Sequence, residues 1–130
     1  MAVIASFRDL NVYNKAGRAA KKVYQMTLTL PADERYSLSD QIRRSSRAVC
    51  ALLAEAWGRR RYPLAFANKV DEAMGEAMET QAWLDHALSC KYISMAEYRE
   101  LDAEWQEIGA MLRGIIDHAP SFCPRPAKGK

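Results

Sequence analysis

At 130 residues the chain is long enough for one domain with a full core and too short for two. Hydrophobic residues make up 49% and charged residues 27%, a balance that excludes a disordered chain. The net charge of +3 hides a polarity: residues 1–62 hold 12 Lys and Arg against 5 Asp and Glu, residues 63–117 hold 4 against 11, and the tail adds Arg125, Lys128 and Lys130.

Met1 to Leu10 lacks a long apolar run, so no signal peptide is expected. The longest uncharged run, Val23 to Ala32, falls short of the roughly 20 residues of a membrane span. Cys50, Cys90 and Cys123 are odd in number and not clustered like metal ligands. They read as reduced thiols of a cytoplasmic protein.

Four helices are expected. The first runs from about Phe7 to Thr29, with Leu10, Tyr13, Gly17, Ala20, Tyr24 and Thr27 at helical spacing on its core face. Leu30-Pro31 stops it, because a residue before proline is pushed out of the helical region. The connection from Pro31 to Tyr36 has room for one helical turn. The second helix starts at Ser37 or Ser39, either of which can cap free amides. Its core face is Ile42, Ser45, Val49, Leu52, Leu53 and Ala56, and Gly58 stops it.

Arg59-Arg60-Arg61-Tyr62-Pro63 is the next turn. The third helix runs from Pro63 to about Cys90 and buries Phe66, Val70, Met74, Ala77, Met78, Leu84 and Leu88. The fourth opens on a capping box of Ser94 and Glu97, with Ile93 and Tyr98 as a hydrophobic staple. Its apolar positions Tyr98, Leu101, Trp105, Ile108, Leu112 and Ile115 form a sustained bundle seam. The domain is thus residues 1–117, and its proline-rich continuation, 118–130, is expected to be an extended or loosely ordered basic tail. With no strand signals and short connections, the fold class is all-α, an antiparallel up-down-up-down four-helix bundle.

Phe7-Arg8-Asp9-Leu10-Asn11-Val12-Tyr13, Leu30-Pro31 through Glu34 and Tyr36, Gln41-Ile42-Arg43-Arg44-Ser45-Ser46, Ala54-Glu55 and the run Ala73 to Glu79 together carry a family pattern. Over about residues 7–116 the chain resembles the four-helix-bundle S23 proteins, products of intervening sequences within bacterial 23S rRNA genes. Within that pattern Leu52 stands where asparagine is usual, Ala56 where glycine is, Glu76 where a small serine is, and Arg47 where an apolar residue is. The resemblance implies a ring-like homo-oligomer, a pentamer, and binding of nucleic acid. A related branch serves as the accessory protein of diversity-generating retroelements and binds reverse transcriptase. A nucleic-acid-processing protein is therefore a further candidate partner.

Two groups of side chains are candidates for function. Lys15, Arg18, Lys21 and Lys22 give the first helix a basic face, Arg43 and Arg47 point together from the second, and Arg59, Arg60 and Arg61 crown one end of the bundle. Lys15, Lys21, Lys22, Arg43, Arg47, Arg59, Arg60 and Arg61 form the candidate nucleic-acid surface, suited to phosphates rather than base edges. The competing reading is a protein-protein scaffold in which these charges serve only ring assembly against the acidic helices.

Arg44 shares a stripe with Gln41 and Glu55. Arg44 and Glu55 are about 16 Å apart along the axis, so each needs a partner on another helix. Glu79 is the candidate for Arg44. Gln41, Arg44, Glu55 and Glu79 are read as a partly buried ion-pair group that fixes register or a subunit contact, in preference to a phosphate site.

Enzyme readings find no footing in the sequence. His86 and Cys90 are four residues apart but lack further ligands, so no metal site is assigned. Neither His86 nor His118 has an acidic residue three positions earlier, as di-iron bundles need. There is no phosphate-cradling glycine loop and no nucleophile elbow. No catalytic residue and no cofactor is expected. Trp57, Trp83 and Trp105 read as core or interface before base-stacking platforms.

Overall fold

Four long helices carry the chain in a computed structural model that describes residues 3–124. They are α1 (Asn11–Thr27), α2 (Leu38–Trp57), α3 (Pro63–Ser89) and α4 (Met95–Asp117), and no strand occurs among the described residues. Short 3-10 turns cover Phe7–Asp9, Ala32–Glu34 and Ala119–Phe122. The expected first helix is therefore two pieces, because Leu10 is extended (φ −71°, ψ 126°) between a capped 3-10 turn and α1. Ser6 Oγ accepts from the Arg8 amide, and Asp9 accepts from the Ala5 and Ser6 amides, which closes that turn.

The cross-helix contacts fix the direction of every helix. Thr27 and Tyr13 of α1 meet Arg43 and Cys50 of α2 respectively, so these two run antiparallel. Arg44 meets Glu79 and Glu55 meets Lys69 between α2 and α3. Gln81 and Asp85 of α3 meet Asp102 and Tyr98 of α4. Lys15 and Lys22 of α1 meet Glu107 and Glu104 of α4. Each helix thus lies antiparallel to two neighbours in an up-down-up-down four-helix bundle.

The fully buried side chains are led by Trp105, Phe66, Ile42, Leu53, Leu84, Ile108 and Leu112. The α4 seam from Leu101 to Ile115 is buried, and Tyr98 is half-buried. On α2, Ile42, Ser45, Val49, Leu53 and Ala56 are buried and Leu52 is half-buried. Ser45 and Thr80 share a buried hydrogen bond of 2.8 Å, so the two hydroxyls lock α2 against α3 without leaving a polar group unmet.

Four expectations are corrected. The core face of α1 is Val12, Ala16, Ala19, Val23 and Met26, with Ala20 and Thr27 at its edge, while Gly17 and Tyr24 are exposed. The alanines let α1 approach closely, whereas the amphipathic Tyr24 keeps its polar end in water. Met78 is 57% exposed, one position off the stripe Phe66-Val70-Ala73-Ala77-Thr80-Leu84-Ala87.

Ser37 and Ser39 do not cap α2 with their own side chains. Ser39 is buried inside the helix, and Glu34 takes the capping role, accepting from the Leu38 amide and the Ser37 hydroxyl. Finally, the stretch after Asp117 does not begin as an extended tail. Pro120 sits in the first turn of a 3-10 helix, where its missing N–H costs nothing, and Phe122 stacks on Phe66 at 6.1 Å. Arg125, Lys128 and Lys130 lie outside the described residues.

Candidate nucleic-acid interface

The basic side chains of α1 divide according to the helix they face. Lys15 and Lys22 lean over α4, where Lys15 Nζ lies 3.2 Å from Glu107 and Lys22 Nζ lies 3.0 Å from Glu104. Two of the eight expected phosphate contacts are therefore neutralised within the chain. Lys21 is one position around the helix from Lys22, on the α2 side, and has no carboxylate within ion-pair distance among the described residues.

Lys21 joins Arg43 and Arg47, which sit one turn apart on α2 and both lie against Tyr24. The Arg43 guanidinium carbon is 5.0 Å from the ring centroid and that of Arg47 is 5.5 Å. Arg43 is half-buried and its Nε donates to Thr27 Oγ1 at 2.7 Å, which fixes its direction. Arg47 is exposed and forms no ion pair among the described residues. Tyr24, 38% exposed, is the residue that the sequence reading missed by placing it in the core.

The triplet after α2 does not act as a unit. Arg59 and Arg61 are exposed, but Arg60 is half-buried, with its guanidinium 3.6 Å from the Trp57 ring centroid. Its Nε donates to the Trp57 carbonyl and an Nη to the Phe122 carbonyl. Arg60 therefore ties the 3-10 turn after α4 to the end of α2, and Trp57 is covered by it. Trp83 Nε1 donates to Glu79 at 3.1 Å, and Trp105 is wholly buried with its Nε1 unpartnered.

Arg44 has two carboxylate partners on α3. It meets Glu76 at 2.8 Å, pairs with Glu79, and donates to Gln41 Oε1 at 3.3 Å. Glu76 first and Glu79 second hold the guanidinium above its ordinary pKa. Glu79 and Gln41 are the partners expected from the sequence, and Glu76 joins them from the preceding turn of α3. Glu55, at the other end of α2, also finds its partner on α3, with Lys69 Nζ 3.9 Å away. The Arg44 side chain is 47% exposed, more open than the partly buried pair expected.

Among the described residues, no group of three or more His, Cys, Asp or Glu side chains is placed to hold a metal ion. No helix among them is long and apolar enough to cross a membrane. A cleft of about 650 Å³ opens between the N-terminal segment, α1 and α4, lined by Leu10, Met111, Ile115 and Phe122 among others. Its arginine, Arg8, is stacked on Phe7 at 4.5 Å, and Lys21, Arg43 and Arg47 do not line it. A pocket of about 290 Å³ lies within the basic face itself, lined by Gly17, Ala20, Lys21, Tyr24, Arg47 and Cys50.

The fold is that of a small all-α four-helix bundle, and among the described residues Lys21, Arg43 and Arg47 of its α1–α2 face have no carboxylate within ion-pair distance. The model of the 23S rRNA-intervening sequence protein family matches residues 8–114, and the chain belongs to that family. Its fold is similar to the crystal structure of a protein of unknown function from the S23 ribosomal protein family of Bacteroides thetaiotaomicron. The TM-score is 0.74 at 28% identity, over 82% of this chain and 95% of that one. No curated protein matches the chain.

Proposed function

We propose that this chain is a non-catalytic bundle that binds the phosphate backbone of RNA or DNA through the α1–α2 face. The observation that carries the reading is the contrast at Lys21, Arg43 and Arg47. These three cations converge around one exposed tyrosine and have no carboxylate partner among the described residues, whereas Lys15, Lys22 and Arg44 are each neutralised. Membership of an rRNA intervening-sequence family is consistent with such a partner. Arg59 and Arg61 extend the cationic surface at the α2–α3 turn. Assembly into a ring-like pentamer, which the resemblance implies, would repeat the face and multiply weak contacts through effective concentration.

Contacts of this kind read charge and shape, not base identity. Affinity for labelled RNA and DNA should therefore fall linearly on a log-log salt plot, with a slope of about −0.7 to −0.9 per phosphate contacted. Fluorescence anisotropy across a salt series measures it, and sedimentation of the same sample gives the assembly state. No binding at low salt by a folded protein would replace this reading with that of a protein-protein scaffold.

A further inference from the structure

We propose that the pocket in the α1–α2 face receives one unstacked nucleobase, so that the protein prefers single-stranded RNA or DNA to duplex. The inference rests on the phosphate-binding reading and names the form of nucleic acid that this face takes. The pocket combines a neutral floor with a cationic rim. Gly17, Ala20 and Cys50 make the floor, and Lys21, Tyr24 and Arg47 make the rim.

A missing side chain leaves the α1 side of the pocket open. Gly17 is exposed within α1, and a Cβ built there would meet only Cys50 Sγ, at 4.0 Å. Burial pushes the Cys50 thiol up, so the floor carries no charge at neutral pH. A phosphate alone would sit at the rim with Lys21 and Arg47 and leave this neutral floor empty. A planar heterocycle fills it. The volume of about 290 Å³ is at the lower edge of the range for small-ligand pockets, so it suits a single ring system and not a base pair.

The rim supplies what a strand needs on either side of that base. Tyr24 offers an aromatic surface, and arginine planes stack on bases as well as on tyrosine. Arg43 is anchored on Thr27, but exposed Arg47 has no such anchor and is free to leave the ring for a flanking phosphate. Bases in a duplex are paired and stacked, out of reach of a pocket that opens between two helices. Only an unpaired nucleotide satisfies floor and rim together.

Gly17→Leu tests this without altering charge. Leucine is a strong helix former, and the position is exposed, with a Cβ there in no more than ordinary van der Waals contact with Cys50 Sγ. Affinity for an oligouridine strand should fall at least about fivefold, the loss of one stacked base. Affinity for a duplex and the salt slope should not move, and wild type should bind the strand more tightly than the duplex. A second measurement needs no variant. Irradiation of a thiouridine-substituted strand on wild type should crosslink to peptides containing Gly17 to Tyr24 or Cys50. Equal strand and duplex affinities, an unaffected Gly17→Leu, or crosslinks confined to other surfaces would overturn the pocket while leaving the backbone reading intact. Failure of wild type to bind any nucleic acid would overturn both.

Discussion

The two flanks of α1 show how a bundle decides which of its cations are free. On one flank Lys15 and Lys22 project over α4, and Glu107 and Glu104 receive them. On the other, Lys21 projects toward α2, where Arg43 and Arg47 stand in place of acids around Tyr24. The residues are of the same type and a few positions apart on one helix. Their difference lies entirely in the neighbouring helix. A net charge of +7 over residues 1–62 therefore overstates the surface available to an anion, because α4 meets Lys15 and Lys22 and α3 meets Arg44. The same logic separates Arg44, held by Glu76 and Glu79, from its sequence neighbour Arg43, about 100° away around α2.

That comparison presumes a rigid frame, and the largest expected effect comes from breaking it. Trp105 is wholly buried on α4, and Trp105→Ala should cost about 3–5 kcal/mol. Urea melting measures the loss, and both flanks should lose their structure in a single transition. A stability near that of wild type would mean that α4 does not hold the frame.

A smaller effect is expected where cations are neutralised in the open. Arg44 is 47% exposed, so Arg44→Ala should cost only about 1 kcal/mol in the same melt, as exposed ion pairs do. This is well below what a buried pair would lose. A cost of about 3 kcal/mol or more would show that the site is covered, by self-assembly or otherwise.

The smallest effect is a titration. Glu34 accepts from Tyr92 and Asp85 accepts from Tyr98, and these bonds push both phenols from the ordinary 10.0 up to about 12. Both groups are raised in the folded state. The stability they contribute is whole below pH 10 and is lost as the pH climbs toward 12. Of six tyrosines, two should ionise late in an ultraviolet titration of the folded protein. Glu34 has the opposite sign. Its pKa is lowered by Ser37 and then Tyr92, so its contribution is present at neutral pH and is lost on acidification.

How much of this was legible depended on whether a residue's neighbours were on its own helix. The α4 seam was legible because one stripe, Leu101 to Ile115, dominates that helix. On α1 two stripes compete, and the larger side chains Tyr13 and Tyr24 outweighed the alanines that pack closest. Periodicity alone cannot tell an amphipathic tyrosine on a rim from one in a core. The Arg44–Glu79 pair was legible from the need to satisfy a helix-facing arginine. Glu76 and the neutralisation of Lys15 and Lys22 were not, because they depend on the register between helices distant in sequence. Arg60 reads as one third of a basic triplet until Trp57 and the Phe122 carbonyl are brought beside it.

The central claim is that the α1–α2 face, and not net charge, carries binding. The direct measurement compares two double variants, Lys21→Ala with Arg47→Ala and Lys15→Ala with Lys22→Ala, each removing two positive charges. Both are titrated with the same labelled RNA across a salt series. The first should lose affinity at least about tenfold and flatten the salt slope by about 1.4–1.8, the share of two phosphates. The second, whose lysines are already occupied by Glu107 and Glu104, should change affinity by less than about threefold and keep its slope. Equal losses in the two variants would contradict the account and return the binding to overall charge.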